Sequence, residues 1–433
     1  MKTKVQLRMA KKLPFFYGWI IVAAAFLGTF IGGGLQSFTF SIFLEPMSKD
    51  LGWSRTVLTG ALTVRIITAA SLAPLFGVTV DRHGPRLLIA LAAIIGSIAA
   101  LLISRVTEIW QFYVIFAFVG ISGGAGLGGV VTGATVSKWF VRLRGRALAI
   151  TTMAGPAPGL FLAPILTLIV FDQGWRSGWV LMSVLFITLL LPVAFFMVRQ
   201  PEDIGLLPDG ASSKEELDRA YKKRGGLESL YSWSLRESIR TKALWALVLT
   251  QILSGLSISS VVLHEFSYVR DMGFSTTIAA GVLSTHAGLA MAIRPIWGIV
   301  LERIPVRIVM CAVYLGTAVG LIILLNATMI STVFLFAVVY GATVAGLAVS
   351  QTIIFPNYFG RDHVGAIRGF TMPITMPAGA VGPLLISIMY DMNGDYFTGF
   401  SILTVLLLLS AGLILITKPP HPPQQTWGSN RHI

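Results

Sequence analysis

Long runs of apolar residues, separated by short polar segments, extend through almost the whole of this chain of 433 residues. Runs long enough to cross a hydrocarbon core of about 30 Å recur at intervals of roughly 35 residues. They predict twelve membrane-spanning helices, which we call spans 1 to 12, at residues 16–43, 56–80, 86–104, 109–136, 146–171, 175–198, 243–268, 276–300, 308–326, 331–356, 367–389 and 397–417. The pattern therefore predicts an all-α membrane protein.

The twelve predicted spans fall into two groups of six on either side of a polar segment. Residues 1–198 form a predicted N-terminal six-helix bundle, 199–242 a charged linker, and 243–433 a C-terminal six-helix bundle with a short tail. Six crossings return a chain to its starting side, so the two bundles have parallel topology. The linker and both chain ends are then expected on one side of the membrane.

The two groups nearly repeat each other at an offset of 221 residues. Residues 50–86 align without gaps on 271–307, and Gly60, Pro74 and Gly77 are among the positions that recur. The repeat predicts two pseudo-symmetric bundles. Ala73, however, aligns with Arg294. Because duplication supplies scaffold to both halves, a charge present in only one half is a candidate for function.

Arg294 is predicted to lie close to the middle of the membrane. It stands eight residues before Glu302, which places it about 12 Å from the end of its helix. A guanidinium at this depth costs at least about 3 kcal/mol unless it is solvated or paired. No acidic residue lies within four positions along the chain. A bound carboxylate would supply the partner, and contacts to a distant acid or to backbone carbonyls are the alternative.

Charged residues are sparse and unevenly placed. They make up 12% of the chain, against about a quarter in soluble domains. The loops on the side away from the linker hold only five of the 33 lysines and arginines: Lys49, Arg55, Arg105, Arg176 and Arg270. This asymmetry predicts cytoplasmic termini in a cytoplasmic (inner) membrane, and it accounts for the net charge of +14 without a nucleic-acid partner.

Cysteine usage narrows the chemistry further. Cys311 is the single cysteine and falls inside span 9. Neither a disulfide nor a cysteine metal site can form within the chain. We therefore expect no metal and no cofactor.

A pattern of glycines and charges separates spans 2 and 3, formed by Gly77, Asp81, Arg82, Gly84 and Arg86. A partial copy follows span 8 as Gly298, Glu302, Arg303 and Arg307. Together with twelve spans and a 6+6 duplication, this loop resembles the signature of the major facilitator superfamily. Carboxylates and arginines at helix ends can latch two halves in one state. Asp81, Arg82, Arg86, Glu302 and Arg303 are therefore gating candidates.

Three further strings resemble the monocarboxylate transporter and oxalate/formate antiporter branch of that superfamily. They are Tyr17-Gly18-Trp19, Lys138-Trp139-Phe140 with Arg144-Gly145-Arg146, and Arg294-Pro295-Ile296-Trp297-Gly298. The resemblance implies that Arg294 binds a substrate carboxylate. The chain departs from the branch at Ser37, where some members carry a lysine, at Ala290, where some carry an aspartate, and at Thr375, where oxalate carriers place a second cation.

Other polar side chains inside the spans are candidates for gating, coupling or binding. Arg65 and Glu265 are predicted near the outer ends of spans 2 and 7, and an ion pair between them would form an outer gate. A second substrate cation and a structural arginine are the alternatives for Arg65. His264, Glu265 and His286 are candidates for carrying a coupling proton. Gln36, Ser37, Tyr340 and Thr375 are candidates for lining the cavity with Arg294, or for joining helices by hydrogen bonds.

The sequence thus predicts a secondary active transporter that works by alternating access as a monomeric unit in the lipid bilayer. The predicted cargo is a small monocarboxylate resembling lactate or pyruvate, and proton symport is preferred over anion exchange. A dicarboxylate or oxalate exchanger, a drug or amphiphile exporter of the same fold, and a transporter-like sensor are the alternatives. An enzyme is not predicted, because the chain contains no nucleotide loop, metal-ligand cluster or catalytic triad.

Overall fold

The computed structural model describes residues 3–33, 37–124, 129–213, 215–216 and 231–420, which are mainly helical. The helices are α1 (Thr3–Lys12), α2 (Gly18–Gly33), α3 (Ser37–Leu51), α4 (Arg55–His83), α5 (Pro85–Ile103), α6 (Ile109–Ser122), α7 (Gly129–Trp139), α8 (Arg144–Met153), α9 (Ala157–Gln173), α10 (Trp175–Phe196), α11 (Leu235–Ile239), α12 (Lys242–Asp271), α13 (Thr276–Ala292), α14 (Arg294–Leu301), α15 (Val306–Leu325), α16 (Ile330–Phe359), α17 (Val364–Asn393) and α18 (Phe397–Ile416). The predicted all-α class is confirmed.

Eight helices of the described chain are long and apolar enough to cross a membrane. They are α4, α5, α10, α12, α15, α16, α17 and α18. Two of the other four predicted spans are each divided into two shorter helices, span 5 into α8 and α9 and span 8 into α13 and α14. Span 1 contains α2 and α3, and span 4 contains α6 and α7, with residues 34–36 and 125–128 outside the described chain.

Equivalent prolines have different effects in the two halves. Pro156 precedes α9 and follows a turn that ends α8, whereas its repeat partner Pro377 lies inside the continuous helix α17. Of these two equivalent prolines, only Pro156 therefore lies at a break between helices. An interior proline removes one helical hydrogen bond, but the turns of α17 on both sides of Pro377 remain helical.

The repeat is preserved at the start of spans 2 and 8. The hydroxyl of Ser54 accepts a hydrogen bond from the Val57 N–H at 3.2 Å, and that of Ser275 accepts from the Ile278 N–H at 3.3 Å. Both serines are N-caps that satisfy a free amide of the first helical turn. Helix α4 then continues to His83, but span 8 is interrupted at Ile293. The interruption thus lies directly before Arg294.

The two halves touch on the side of the membrane where α4 ends and α8 begins, which we call the linker side. A Cβ atom added to Gly77 would lie 2.1 Å from the Gly365 oxygen, and one added to Gly145 would lie 2.0 Å from the Gly298 oxygen. These distances are far below van der Waals contact, so only glycine permits them. Two pairs of helices from opposite halves, α4 with α17 and α8 with α14, therefore pack backbone against backbone.

The linker between the halves is fastened to the same side. The Asp209 carboxylate accepts hydrogen bonds from the backbone N–H groups of Val141, Arg142 and Leu143 at 3.0, 2.6 and 3.0 Å. The Trp233 N–H donates to the Phe359 carbonyl at 2.9 Å. The linker thus contacts the chain just before α8 in one half and the end of α16 in the other.

Candidate functional site

Arg294 lies at the interruption of span 8 and reaches from the C-terminal half to the N-terminal half. Its Nε donates to the Ala290 carbonyl at 2.9 Å, and its Nη1 donates to the Thr152 carbonyl at the end of α8. The side chain is half-buried. Among the described residues, no carboxylate forms an ion pair with it. Within the described part of the chain, backbone carbonyl dipoles alone balance its positive charge.

The structure places the other cavity candidates as follows. Gln36 lies outside the described residues, and Ser37 is the first residue of α3. The half-buried Thr375 donates its hydroxyl to the Thr371 carbonyl of its own helix at 3.2 Å. Tyr340 is fully buried, and its hydroxyl has no hydrogen-bond partner in the described chain. A binding role for these four residues stays a prediction.

A buried polar cluster joins α12, α13 and α16. The Glu265 side chain is 0% exposed, and its Oε2 lies 2.8 Å from His286 Nδ1. The other carboxylate oxygen, Oε1, has no hydrogen-bond partner among the described residues. The ring of Tyr340 packs edge-on against that of His286, with 5.0 Å between the ring centroids. The cluster contains a carboxylate, an imidazole and a phenol that are shielded from solvent.

The predicted ion pair between Arg65 and Glu265 is wrong for this state, because Glu265 is paired with His286 instead. The Nε of Arg65 is buried and has no hydrogen-bond partner in the described part of the chain. Arg65 and His286 nevertheless occupy equivalent positions in the repeat. A Cβ atom on Gly120 would lie 2.6 Å from the Arg65 carbonyl oxygen, and one on Gly341 would lie 2.6 Å from the His286 oxygen.

His264 neighbours the buried cluster along the chain but makes different contacts. Its Nε2 lies 3.0 Å from the Pro383 carbonyl and 3.5 Å from the Ser387 hydroxyl. Its ring packs on Tyr396 at a centroid distance of 5.4 Å. These contacts join α12 to α17 and to the start of α18, and they give His264 a packing environment.

On the linker side, two acidic residues each bind the first turn of a helix in the opposite half. Asp81 accepts from Lys138 Nζ at 2.7 Å and from the Ala366 N–H of α17 at 2.7 Å. Glu302 accepts from both the N–H and the Nε of Arg146 in α8, at 3.0 and 2.9 Å. A carboxylate at a helix N-terminus satisfies free amides and interacts favourably with the helix dipole. We call these two contacts the reciprocal caps.

Three other gating candidates lie beside the caps with different surroundings. Arg86 donates to the carbonyls of Ala194 and Phe195 at 3.3 and 2.7 Å, within its own half. The side chains of Arg82 and Arg303 are exposed. Arg86 thus satisfies carbonyls of the last turn of α10. A gating role for these three arginines stays a prediction.

Sequence reasoning did not single out Arg368 of α17. A Cβ atom on Gly133 would lie 2.7 Å from Arg368 Nη1 and 3.4 Å from a methyl group of Thr352. Arg368 therefore reaches across to α7 of the other half, and the glycine makes room for it. The repeat contained the signal, since Ala147 stands 221 positions earlier. The comparison that identified Arg294 identifies Arg368 as well.

Comparison with known proteins gives relatives along nearly the full length. The chain is 22% identical to the uncharacterized MFS-type transporter YcxA of Bacillus subtilis over 88% of this chain and 91% of that protein. It is 24% identical to monocarboxylate transporter 13 of Rattus norvegicus, over 93% and 89%. It is 21% identical to the oxalate:formate antiporter of Oxalobacter formigenes, over 66% and 64%.

Solved structures agree in fold. The proton:xylose symporter XylE superposes with a TM-score of 0.71 over 93% of this chain and 96% of that one, at 15% sequence identity. The profile of the Major Facilitator Superfamily matches residues 25–370 and 282–431, which together cover most of the sequence. This chain is therefore a multi-pass membrane transporter that belongs to the Major Facilitator Superfamily.

Proposed function

We propose that this protein carries a small monocarboxylate, resembling lactate or pyruvate, across the cytoplasmic membrane by alternating access, with Arg294 as the anion-binding residue. The observation that carries the proposal is the state of this arginine. It lies in span 8, at the contact between the halves, and without an acidic partner among the described residues. The names of the relatives, which include a monocarboxylate transporter, support the same class of cargo.

The chemistry of a guanidinium fits this role. Arg294 has five N–H donors, and two of them donate to described carbonyls. A carboxylate that accepts a bidentate pair would neutralise the charge and form two charge-assisted hydrogen bonds. Such bonds contribute about 1.5–3 kcal/mol each. We expect the bound cargo to replace the Thr152 carbonyl as the acceptor for Arg294 Nη1.

The same exchange gives a mechanism for moving the halves. Thr152 belongs to the N-terminal half and Arg294 to the C-terminal half, so their bond helps to hold the halves together. When an anion takes the place of the Thr152 carbonyl, one contact between the halves is released and the buried charge is neutralised. The anion thus removes the cost of an uncompensated guanidinium at this position in the hydrocarbon core. The reciprocal caps hold the linker side closed until this step.

Orientation and coupling belong to the proposal. The excess of lysine and arginine on the linker side supports a cytoplasmic position for that side and for both termini. In this orientation the state described here is closed towards the cytoplasm. We propose proton symport, because moving an anion with a proton transfers no net charge across the membrane. One chain contains both halves and the site between them, so the proposed functional unit is a monomer.

A second candidate function, exchange of dicarboxylates such as oxalate, is supported by Arg368. This residue stands seven positions before Thr375, which is about two helical turns and therefore the same face of α17. It also reaches the opposite half at Gly133. A cargo with two carboxylates would use both arginines, and a monocarboxylate would need only Arg294.

The test is uptake of a panel of labelled monocarboxylates and dicarboxylates into proteoliposomes. Arg294→Gln should reduce monocarboxylate uptake by about 10- to 100-fold, the value of one charge-assisted hydrogen bond or more. Arg294→Lys keeps the charge but loses the planar fork, so it should be intermediate. Arg105→Gln, at an exposed position of a far-side loop, is the matched control. If the Arg294→Gln variant took up monocarboxylates as fast as the wild-type protein, the assignment of Arg294 would be refuted. If the variant exported amphiphiles and the wild-type protein moved no carboxylate, the exporter alternative would be favoured.

A further inference from the structure

We infer that the coupling proton binds the buried Glu265–His286 pair, with Tyr340 as the third member of the site, and not His264. This inference rests on the proposed function and names the site of its coupling ion. The site is defined by geometry: the 2.8 Å contact between Glu265 Oε2 and His286 Nδ1, the complete burial of Glu265, and the packing of Tyr340 on the imidazole.

Two buried polar atoms of this cluster lack hydrogen-bond partners in the described chain, Glu265 Oε1 and the Tyr340 hydroxyl. Buried polar groups are nearly always satisfied, so an unsatisfied atom in a native structure calls for a reason. A proton on Oε1 would remove the negative charge from this buried oxygen, which is costly to bury without a partner. An unpaired carboxylate oxygen is therefore a suitable place for a proton to bind.

The charge of the pair explains why it would take up a proton when it is sealed from water. With one shared proton between Nδ1 and Oε2, the pair carries a net charge of −1. A second proton makes the pair neutral, whether it resides on the imidazole or on the carboxylate. Burying an uncompensated charge costs several kcal/mol. The singly protonated pair is therefore favoured when water reaches it, and the doubly protonated pair when the site is closed.

The pair and Arg294 together give a rule for coupling. Residue 286 precedes residue 294 by eight positions in span 8, or about 12 Å of helix. A carboxylate at Arg294 adds one negative charge to the interior, and a second proton on the pair adds one positive charge. The empty carrier and the carrier loaded with both thus have the same net charge. A carrier loaded with only one ligand differs by a full unit and meets a higher barrier.

Several titratable groups described on the neighbouring helices contact residues outside the pair. On α12, His264 contacts the Pro383 carbonyl, and Tyr268 packs against Phe400 and Tyr396. Helix α17 contributes Tyr390, which stacks on Tyr396, and α18 has no titratable residue. On α16 the nearest such group is Tyr340 itself. Arg65 and Arg368 keep a constant charge, so they contribute equally to the net charge of the empty and the loaded carrier.

The experiment compares two kinds of transport in proteoliposomes, with protein-free liposomes subtracted. The first is accumulation of a labelled monocarboxylate driven by a gradient of one pH unit, which supports about tenfold accumulation at one proton per anion. The second is exchange of labelled for unlabelled monocarboxylate at equal pH, which requires no proton release. Glu265→Gln and His286→Gln should abolish the accumulation and retain exchange within about threefold of wild type. Exchange also reports that each variant is folded.

Tyr340→Phe should weaken pH-driven accumulation severalfold, and Tyr314→Phe is its matched control. Tyr314 is a fully buried tyrosine of the same half, but its hydroxyl lies 3.4 Å from the Ser254 hydroxyl. Full accumulation by Glu265→Gln or His286→Gln would overturn the inference and leave the proposed function intact. Uncoupling by His264→Gln alone, or wild-type uptake that ignores the pH gradient, would overturn it as well. Wild-type protein that moves no monocarboxylate in either assay would refute the proposed function, and this inference with it.

Discussion

Replacing Gly145 with alanine should shift the protein away from the state in which the linker side is closed. The new Cβ atom would lie 2.0 Å from the Gly298 oxygen and 2.8 Å from Glu302 Cγ. Ordinary van der Waals contact begins at 3.4 Å, so α8 and α14 must separate by about 1.4 Å to accept the methyl group. Overpacking of this kind costs about 1–3 kcal/mol, which corresponds to a change of about 5- to 150-fold in a conformational equilibrium.

The cost falls on one state only, because the contact between Gly145 and Gly298 joins opposite halves. Alanine also favours a helix by about 1 kcal/mol over glycine, but this gain acts in both states and cancels. Gly412→Ala in α18 is the matched control, since nothing lies within 4 Å of its added Cβ atom. It adds the same methyl group without a clash.

The assay is pulsed electron resonance between spin labels at His83 and Ile304, with Cys311 replaced by alanine. Both labelled positions are exposed and lie in opposite halves on the linker side, His83 at the end of α4 and Ile304 between α14 and α15. Gly145→Ala should move the distance distribution towards longer values, and Gly412→Ala should leave it unchanged. An unaltered distribution in a folded Gly145→Ala protein would show that the glycine contact does not hold the linker side closed.

Three further changes have defined outcomes. Glu302→Gln removes the charge that pairs with Arg146 while keeping the shape, so the same spin labels should show a smaller shift in the same direction; identical distances would contradict the cap. The hydrogen bond from Arg176 lowers the pKa of the Asp50 carboxyl below its ordinary value. The stabilisation is therefore complete at neutral pH and lost as the pH falls below about 4, and Asp50→Asn should flatten this acid limb in thermal melts, whereas unchanged melts would exclude the contribution. Arg368→Gln should impair dicarboxylate uptake more than monocarboxylate uptake, and equal losses would remove the second candidate function.

Much of the fold follows from the sequence because the bilayer restricts the chain so strongly. A segment in hydrocarbon must satisfy its own backbone groups, so each apolar run of sufficient length becomes a helix. The prediction was poorer where a helix is interrupted inside the membrane. Pro156 and Pro377 look equivalent in the sequence, but only the first lies at a helix break.

The candidate site was predictable in part for a similar reason. Spacing along a helix gives the expected depth of a residue, and the mismatch in the repeat singles out Arg294, which lies at the contact between the halves. Spacing does not show which helix lies next to a residue. The sequence therefore predicts Arg65 as the partner of Glu265, whereas the structure pairs Glu265 with His286. The sequence indicates the acidic residues of the reciprocal caps but not their partners, since Asp81 binds the backbone N–H of Ala366. A backbone donor leaves no signature in the sequence.

The glycines at positions 120 and 341 have a consequence for how such a carrier can evolve. Each lets one helix lie directly against the backbone of a candidate functional residue, Arg65 in one half and His286 in the other. The backbone contact is the same, although one side chain is a guanidinium and the other an imidazole. The side chain at each of these two equivalent positions can therefore be substituted while the backbone contact with the facing glycine is kept. A duplicated ancestor could in this way acquire new ion chemistry through single substitutions at these two positions.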